Sequence, residues 1–268
     1  MQFGRTKIKT DVEKVNRNNV LSVLADALTA HNANRADIDY LYRYFKGDQP
    51  VLAREKEIRP EICNKIVENI ANEIVSFKTG YLLGEPIQYV SRSDYDTSKE
   101  VGELNDIMEL CNKPCVDNDI AEWLYICGVG HRLILPNSDA LISKAVPALS
   151  KGVKPDLGDE SPFSIYCLDP RSSFIVHYSG IGEKPVMGVK YVKKDDLDVV
   201  YSIWTDTEYF EIVGNELTGG EKIVKEAPNT IGSIPVIEYT LNNSRQGAFE
   251  IVLPLLDAIN NTQSDRVD

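Results

Sequence analysis

The sequence predicts an α+β fold, in which a helical N-terminal part packs with a mainly antiparallel, curled β-sheet and leads into the start of a long helix. Three observations carry this. Apolar residues recur at intervals of three and four up to Gly128. From Val129 to Tyr239 the period drops to two, in short Val-, Ile- and Tyr-rich runs punctuated by Gly, Pro and Asp. From Phe249 the helical period returns.

The elements follow in order. In "DVEKVNRNNVLSVLADALTAHN", Val12, Val20, Val23, Leu24, Ala27 and Leu28 mark a first helix, with Thr10 or Asp11 placed to cap it. "RADIDYLYRYFKGD" reads as a second, short helix stopping at Gly47, and its stripe of Tyr40, Tyr44 and Phe45 reads as core packing. An extended connector leads to Pro60, suited to a first helical position. Ile62, Ile66, Ile70, Ile74 and Phe77 then fall on one face of a helix that Gly80 should end by supplying a positive φ. On that reading Gly80→Val destabilises the chain. After Pro86, alternation through Ile87 and Tyr89 opens a strand. "SKEVGELNDIMELC" and "VDNDIAEWLYICG" read as two further helices.

Eight strands should follow: "HRLILP", "FSIYCLD", "SFIVHYS", "VMGVKYVKK", "DVVYSIWTD", "EYFEIVG", "EKIVKEA" and "IPVIEY". "NELTGGEK" is a predicted hairpin tip, and 137–161 a polar insertion between strands. Phe249, Val252, Leu256 and Ile259 give the last helix its apolar face, with Pro254 in its first turns. The resulting division is 1–47, an N-terminal helical arm; 48–128, helix-rich; 129–240, antiparallel β with the insertion 137–161; and 241–268, the opening of a helix. Because that helix stops in mid-pattern, the expectation is the first part of a longer protein.

Composition excludes several classes. With 29 Lys and Arg against 41 Asp and Glu, the net charge is −12, which offers few cations to displace counterions from DNA. No apolar run approaches the ~18 residues of a membrane span, and no secretory signal opens the chain. The cytoplasm is therefore the default compartment. Five cysteines, Cys63, Cys111, Cys115, Cys127 and Cys167, fit reduced thiols. Cys111 and Cys115 make half a metal site, for which Cys127 and His131 are the available complement; neither metal nor cofactor is expected.

Candidate chemistry is sparse. Cys127 and His131 in "CGVGH" could be offered as a nucleophile pair, but they fall on different elements with no third group to orient them. "GVG" lacks the spacing of a dinucleotide loop, and "TGGEK" lacks the Ser or Thr of a phosphate loop. "KKDDLD" reads as a solvated loop, and His31 and His177 have no local ligand partners. The residues describe a building block or a binding module rather than an enzyme.

"NKIVENIANEIVSFKTGYLLGEPIQYV" resembles the helix-turn-strand signature of portal proteins of tailed phages, in the branch typical of long-tailed phages and prophages of Gram-positive bacteria. The matching positions are Asn64, Gly80, Tyr81, Gly84 and Pro86. "CLDPRSSFIVHY" is similar to the family's Asp-Pro strand pair, with Asp169 and Pro170. "GSIPVIEYTLNNSRQGAFEIVLPLLDAINNTQSDRVD" resembles its strand, Asn-rich turn and helix, through Pro235, Asn243, Phe249 and Asp257.

The resemblance implies a non-enzymatic, head-to-tail connector subunit of a homo-oligomeric ring of about a dozen copies. The ring sits at the capsid vertex of the virion, is assembled in the host cytoplasm, and needs no membrane. It would serve DNA packaging and ejection and join head to tail. Its partners would be terminase, capsid, scaffold and head-completion proteins, and double-stranded DNA passing without tight binding. Residues up to Tyr239 would form the wing and the helix from Phe249 the start of the stem; the clip and crown of the family would lie beyond Asp268. An α+β enzyme with a scattered site and a monomeric protein-interaction module are the competing readings.

Overall fold

The computed structural model describes residues 4–58, 60–91, 98–137, 161–194, 198–215 and 220–268. Its helices are α1 (Val20–Phe45), α2 (Ile70–Leu83), α3 (Ser98–Leu110), α4 (Lys113–Cys127) and α5 (Leu253–Val267). Its strands are β1 (Lys9–Thr10), β2 (Val129–Pro136), β3 (Phe163–Leu168), β4 (Ser173–Tyr178), β5 (Pro185–Lys193), β6 (Asp198–Trp204), β7 (Glu208–Asn215), β8 (Lys222–Pro228) and β9 (Val236–Thr240). Short 3-10 turns occupy Pro50–Ala53 and Glu250–Val252. The α+β class holds. Residues 138–160 of the insertion, half of the predicted hairpin tip (216–219) and residues 195–197 of the acidic loop lie outside the described residues.

The predicted single curled sheet is two sheets. Among the described residues, one has six strands in the order β1-β4-β5-β6-β7-β8, antiparallel throughout except for the parallel pair β1 and β4. The other has three, β3-β2-β9, all antiparallel. The two stack face to face. Phe174 and Val176 of β4 join Val20, Val23 and Leu24 of α1 in one core, while Ile175, between them in sequence, joins Leu133, Leu168, Trp204 and Val236 in the core between the sheets. Because both its faces are covered, β4 is apolar at consecutive positions rather than alternate ones. Gly188 of β5 allows the approach: a Cβ there would come within 2.8 Å of Ile234 and 2.9 Å of Val236.

Helix α4 closes the outer face of the small sheet through Val116 and Ile120 against Ile165. It ends at Gly128, whose φ of +82° is the left-handed terminus that glycine favours. The second half of α1, with the buried Tyr44 and Phe45, packs with Ala71 and Val75 of α2, Ile126 and Phe249. The aromatic stripe is therefore core.

Several predicted boundaries are corrected. The first helix begins at Val20 and is not capped by Thr10 or Asp11, because Lys9 and Thr10 are drawn into β1 beside β4. The two N-terminal helices are one, because the polar residues between them are held by other elements: Asn34 accepts from Thr6 N–H at 2.9 Å and donates to Thr6 C=O at 2.8 Å. The helix expected from Pro60 to Gly80 begins only at Ile70, capped by the Asn69 side chain. It runs through Gly80, which has no positive φ, to Leu83. The strand expected at Ile87 is an extended segment without a strand partner among the described residues, because the Asn105 side chain takes both Tyr89 N–H (3.0 Å) and Tyr89 C=O (3.1 Å).

Residues 64–68 are extended for a physical reason that lies far away in sequence. Asn64, Ile66 and Glu68 donate their N–H groups to Asp268 Oδ1 (2.6 Å), Ser264 Oγ (3.0 Å) and Asn260 Oδ1 (2.9 Å) of α5 and its C-cap. Every second residue of the strap meets every fourth of the helix. Two extended residues advance about 6.6 Å and four helical residues about 6 Å, so the two repeats stay in step over three rungs.

Candidate functional site

Each group that could do chemistry is placed by the fold, and burial decides its role. Cys127 closes the last turn of α4 with no exposure, its Sγ donating to Trp123 and Val129 carbonyls. Burial raises its thiol to about 12, so the thiolate that a nucleophile requires is suppressed. His131 faces elsewhere, into a cluster with Ser173 and Glu238.

That cluster has the outline of a hydrolytic triad that local spacing does not reveal. Ser173 Oγ lies 2.9 Å from His131 Nδ1, and His131 Nε2 lies 3.4 Å from Glu238 Oε2. Two facts remove a nucleophilic role. Ser173 has no exposed surface, and its hydroxyl donates to the Asp169 carbonyl at 2.8 Å, so its proton is not turned toward the imidazole. Glu238 is gripped by both terminal nitrogens of Arg245, at 2.8 and 2.7 Å. Burial alone would raise the Glu238 carboxyl, but hydrogen bonds from His131 and Arg245 outweigh it and hold the group below the usual carboxylate range. The cluster is a buried polar strut joining β2, β4 and β9.

The thiols do not assemble. Cys111 hydrogen-bonds to Ser161 and to the Phe163 carbonyl, Cys115 is exposed and Cys127 lies in a different core. Among the described residues no group of three or more His, Cys, Asp or Glu is arranged for a metal ion. His31 stacks on Phe174 with ring centroids 4.4 Å apart, and burial lowers its pKa to about 4. His177 is lowered too, again chiefly by burial.

A cleft of about 640 Å³ lies between α1, the 169–172 turn and β5. Its central cation, Arg171, is bound to Asp169 and Asp39 and stacks on Tyr42 at 4.2 Å and Trp123 at 5.5 Å. Its role is to hold α1, α4 and the turn together.

The signature residues separate into four groups. Asp169 shapes the turn before β4, where its carboxylate accepts Arg171 N–H at 2.8 Å and Pro170 is buried beside it. Pro235 enters β9 with its carbonyl bound to Ile134 N–H, and Asn243 is exposed in the following turn. At the root of α5, Phe249 stacks on Tyr44, whose hydroxyl donates to Asp257 at 2.9 Å. Asn64 reaches Asp268 with its side chain as well as its N–H. Tyr81 stands 85 % exposed on α2, with Gly80, Gly84 and Pro86 exposed around it.

Long-range partners escape sequence reasoning here. Glu250, fully buried, accepts from Gly4 N–H, Gly247 N–H and Arg5. Gln49 bonds to Asn69 and Asn260. No spacing links residues more than 200 positions apart. The i, i+4, i+8 series Asn260, Ser264, Asp268 gives no separate signal, because Asn261, Thr262, Gln263, Asp265 and Arg266 around it are polar too.

The chain matches a family model described as phage portal protein, SPP1 Gp6-like, over residues 25–268. That span starts within α1 and takes in α5 and both sheets except β1. No curated protein matches the sequence at a significant level.

Proposed function

The chain belongs to the phage portal protein family, SPP1 Gp6-like, structural subunits of the DNA passage at the capsid vertex, and from that premise we propose how its parts serve the ring. The carrying observation is the match over residues 25–268, which spans every layer of the fold. Portal subunits form an oligomeric ring associated with capsid and terminase.

In this reading residues 48–128 and 129–240 make a rigid wing, 1–47 an arm across it, and α5 the entry to a stem lining the channel. The turn at Asp169 and Pro170, the β9 entry at Pro235 and the Phe249–Tyr44–Asp257 contact fix the angle between wing and stem. The buried struts supply stiffness rather than catalysis. Ser173 and Cys127, the groups closest to nucleophiles, are both fully enclosed. A net charge of −12 keeps DNA moving through the ring instead of gripping it. A ring of about a dozen copies, contacts to scaffold and head-completion proteins, and assembly in the host cytoplasm complete the proposal.

Negative-stain imaging with mass by light scattering, on the product of the natural reading frame that contains this chain, tests it. Rings with a central hole are expected. A folded, uniform monomer overturns the reading.

A further inference from the structure

Helix α2 carries an apolar surface that its own fold leaves unused. It buries only Ala71 and Val75. Beyond Val75 one face of it stands clear of the protein: Phe77 is 72 %, Tyr81 85 % and Leu82 59 % exposed, and a Cβ built on Gly80 would meet nothing within 4 Å. The two rings stack on each other, centroids 6.2 Å apart, which presents them as one flat surface. Ile87 and Val90, just after the helix, are also exposed.

We propose that this free half of α2 is the surface on which a second copy of the chain docks in the ring, meeting the exposed, uncharged face of α5 and its preceding turn at Ile251 and Leu255. The inference rests on the portal reading and names the contact that would build it. Three physical arguments select a second copy as the occupant. The five exposed side chains present roughly 700 Å² at ordinary side-chain areas, close to the ~800 Å² per partner of a specific interface. Each copy carries −12, so identical subunits repel one another except where charge is locally absent. Thr79 to Gly84 holds no charged residue, and the adjacent Lys78 is drawn away over the Tyr125 ring at 5.9 Å.

The third argument is symmetry. A closed ring is built from head-to-tail contacts, which need two different patches on every subunit. Ile251 and Leu255, 70 % and 59 % exposed and one helical turn apart, form the second patch, flanked by the exposed, uncharged Pro254 and Ala258. Neither patch repeats the other.

The test uses the natural reading frame containing the chain, with variants Tyr81→Glu and Leu255→Glu and the control Ile181→Glu, at a fully exposed position in the turn before β5. Mass by light scattering and negative-stain imaging read assembly, and a circular dichroism melt reads folding. Both patch variants should melt with the parent yet fall from ring mass to single-chain mass, while Ile181→Glu keeps its rings. Combining Tyr81→Glu with Leu255→Lys should restore rings. Rings that persist in Tyr81→Glu overturn the inference and leave the portal reading standing. Rings lost in Tyr81→Glu but kept in Leu255→Glu overturn α5 as the mate of α2. Should Tyr81→Glu melt early, Phe77→Ala replaces it under the same criteria. A parent that is folded but monomeric overturns the portal reading itself.

Discussion

Helices α2 and α5 sit at opposite corners of the usual link between hydropathy and burial. The more apolar of the two, α2, projects Phe77, Tyr81 and Leu82 into solvent. The more polar, α5, hides Asn260 and Ser264 completely. The difference lies in backbone partners. The strap at 64–68 brings donors to α5 in step with its turns, so polar side chains there are worth more inside than out. No described element covers the outer face of the far half of α2, where Phe77, Tyr81 and Leu82 lie. A helix is buried where another element has the geometry to use its side chains, and composition alone does not settle that.

The comparison can be broken most forcefully at the root of α5. Glu250→Gln removes the carboxylate 2.6 Å from the buried Arg5, with Asp37 standing off at 4.0 Å, and turns an amide toward two backbone donors. It should cost about 3–5 kcal/mol, read as a shift in the denaturant midpoint. An unchanged midpoint would mean that the N-terminal segment does not depend on α5. One rung further, Asn260→Ala removes the acceptor for Glu68 N–H and the donor to Gln49. A loss of about 2–3 kcal/mol is expected, lowering the melting temperature by roughly 4–12 °C at 2–4 °C per kcal/mol for a chain of this size.

The outermost rung should respond to acid. Hydrogen bonds from Lys56 and from Asn64 N–H lower the Asp268 carboxyl from 3.8 to about 2. A folded pKa below the unfolded one means that the contribution is complete above pH 3.8 and is lost as pH falls through about 2. Exchange of the Asn64 amide, followed by NMR, should lose protection over that window while amides of α2 at Val75 and Ser76 do not. Loss at both sites together would point to global acid unfolding. The smallest effect belongs to α2. Gly80 sits in helical conformation with open space where a Cβ would go, so Gly80→Ala should stabilise by about 0.5–1 kcal/mol. A loss in the melt would restore Gly80 as a helix terminus.

Much of the fold was legible because it is local. The change of period at Gly128 separates helices from strands, and Gly128 itself ends α4 in the left-handed conformation the sequence allows. The stripe Tyr40, Tyr44, Phe45 faces inward as its spacing says, and Leu256 lies on the buried face of α5, with Phe249 packed in the turn before it. The same logic fails between Pro60 and Ile70. Isoleucines at helical intervals are there, but the backbone donors of Asn64, Ile66 and Glu68 find better acceptors on α5. Of the signature residues, Phe249 and Asp257 converge on Tyr44, while Tyr81 and Pro86 lie on open surface.

The sequence by itself therefore determined what depends on neighbours along the chain: the class of each long segment, the glycine end of α4, the acidic balance that disfavours a grip on DNA, and the order of motifs that marks a portal. Tertiary structure alone decided what depends on partners hundreds of residues away. It split the strands into two sheets with Ile175 and Gly188 between them, joined two predicted helices through Asn34 and Thr6, and enclosed Ser173, His131 and Glu238 as a strut. It also unwound residues 64–68 onto α5. The reason is that a hydrogen bond stabilises according to the partner it finds in space, and periodicity records only the partners found nearby in the chain.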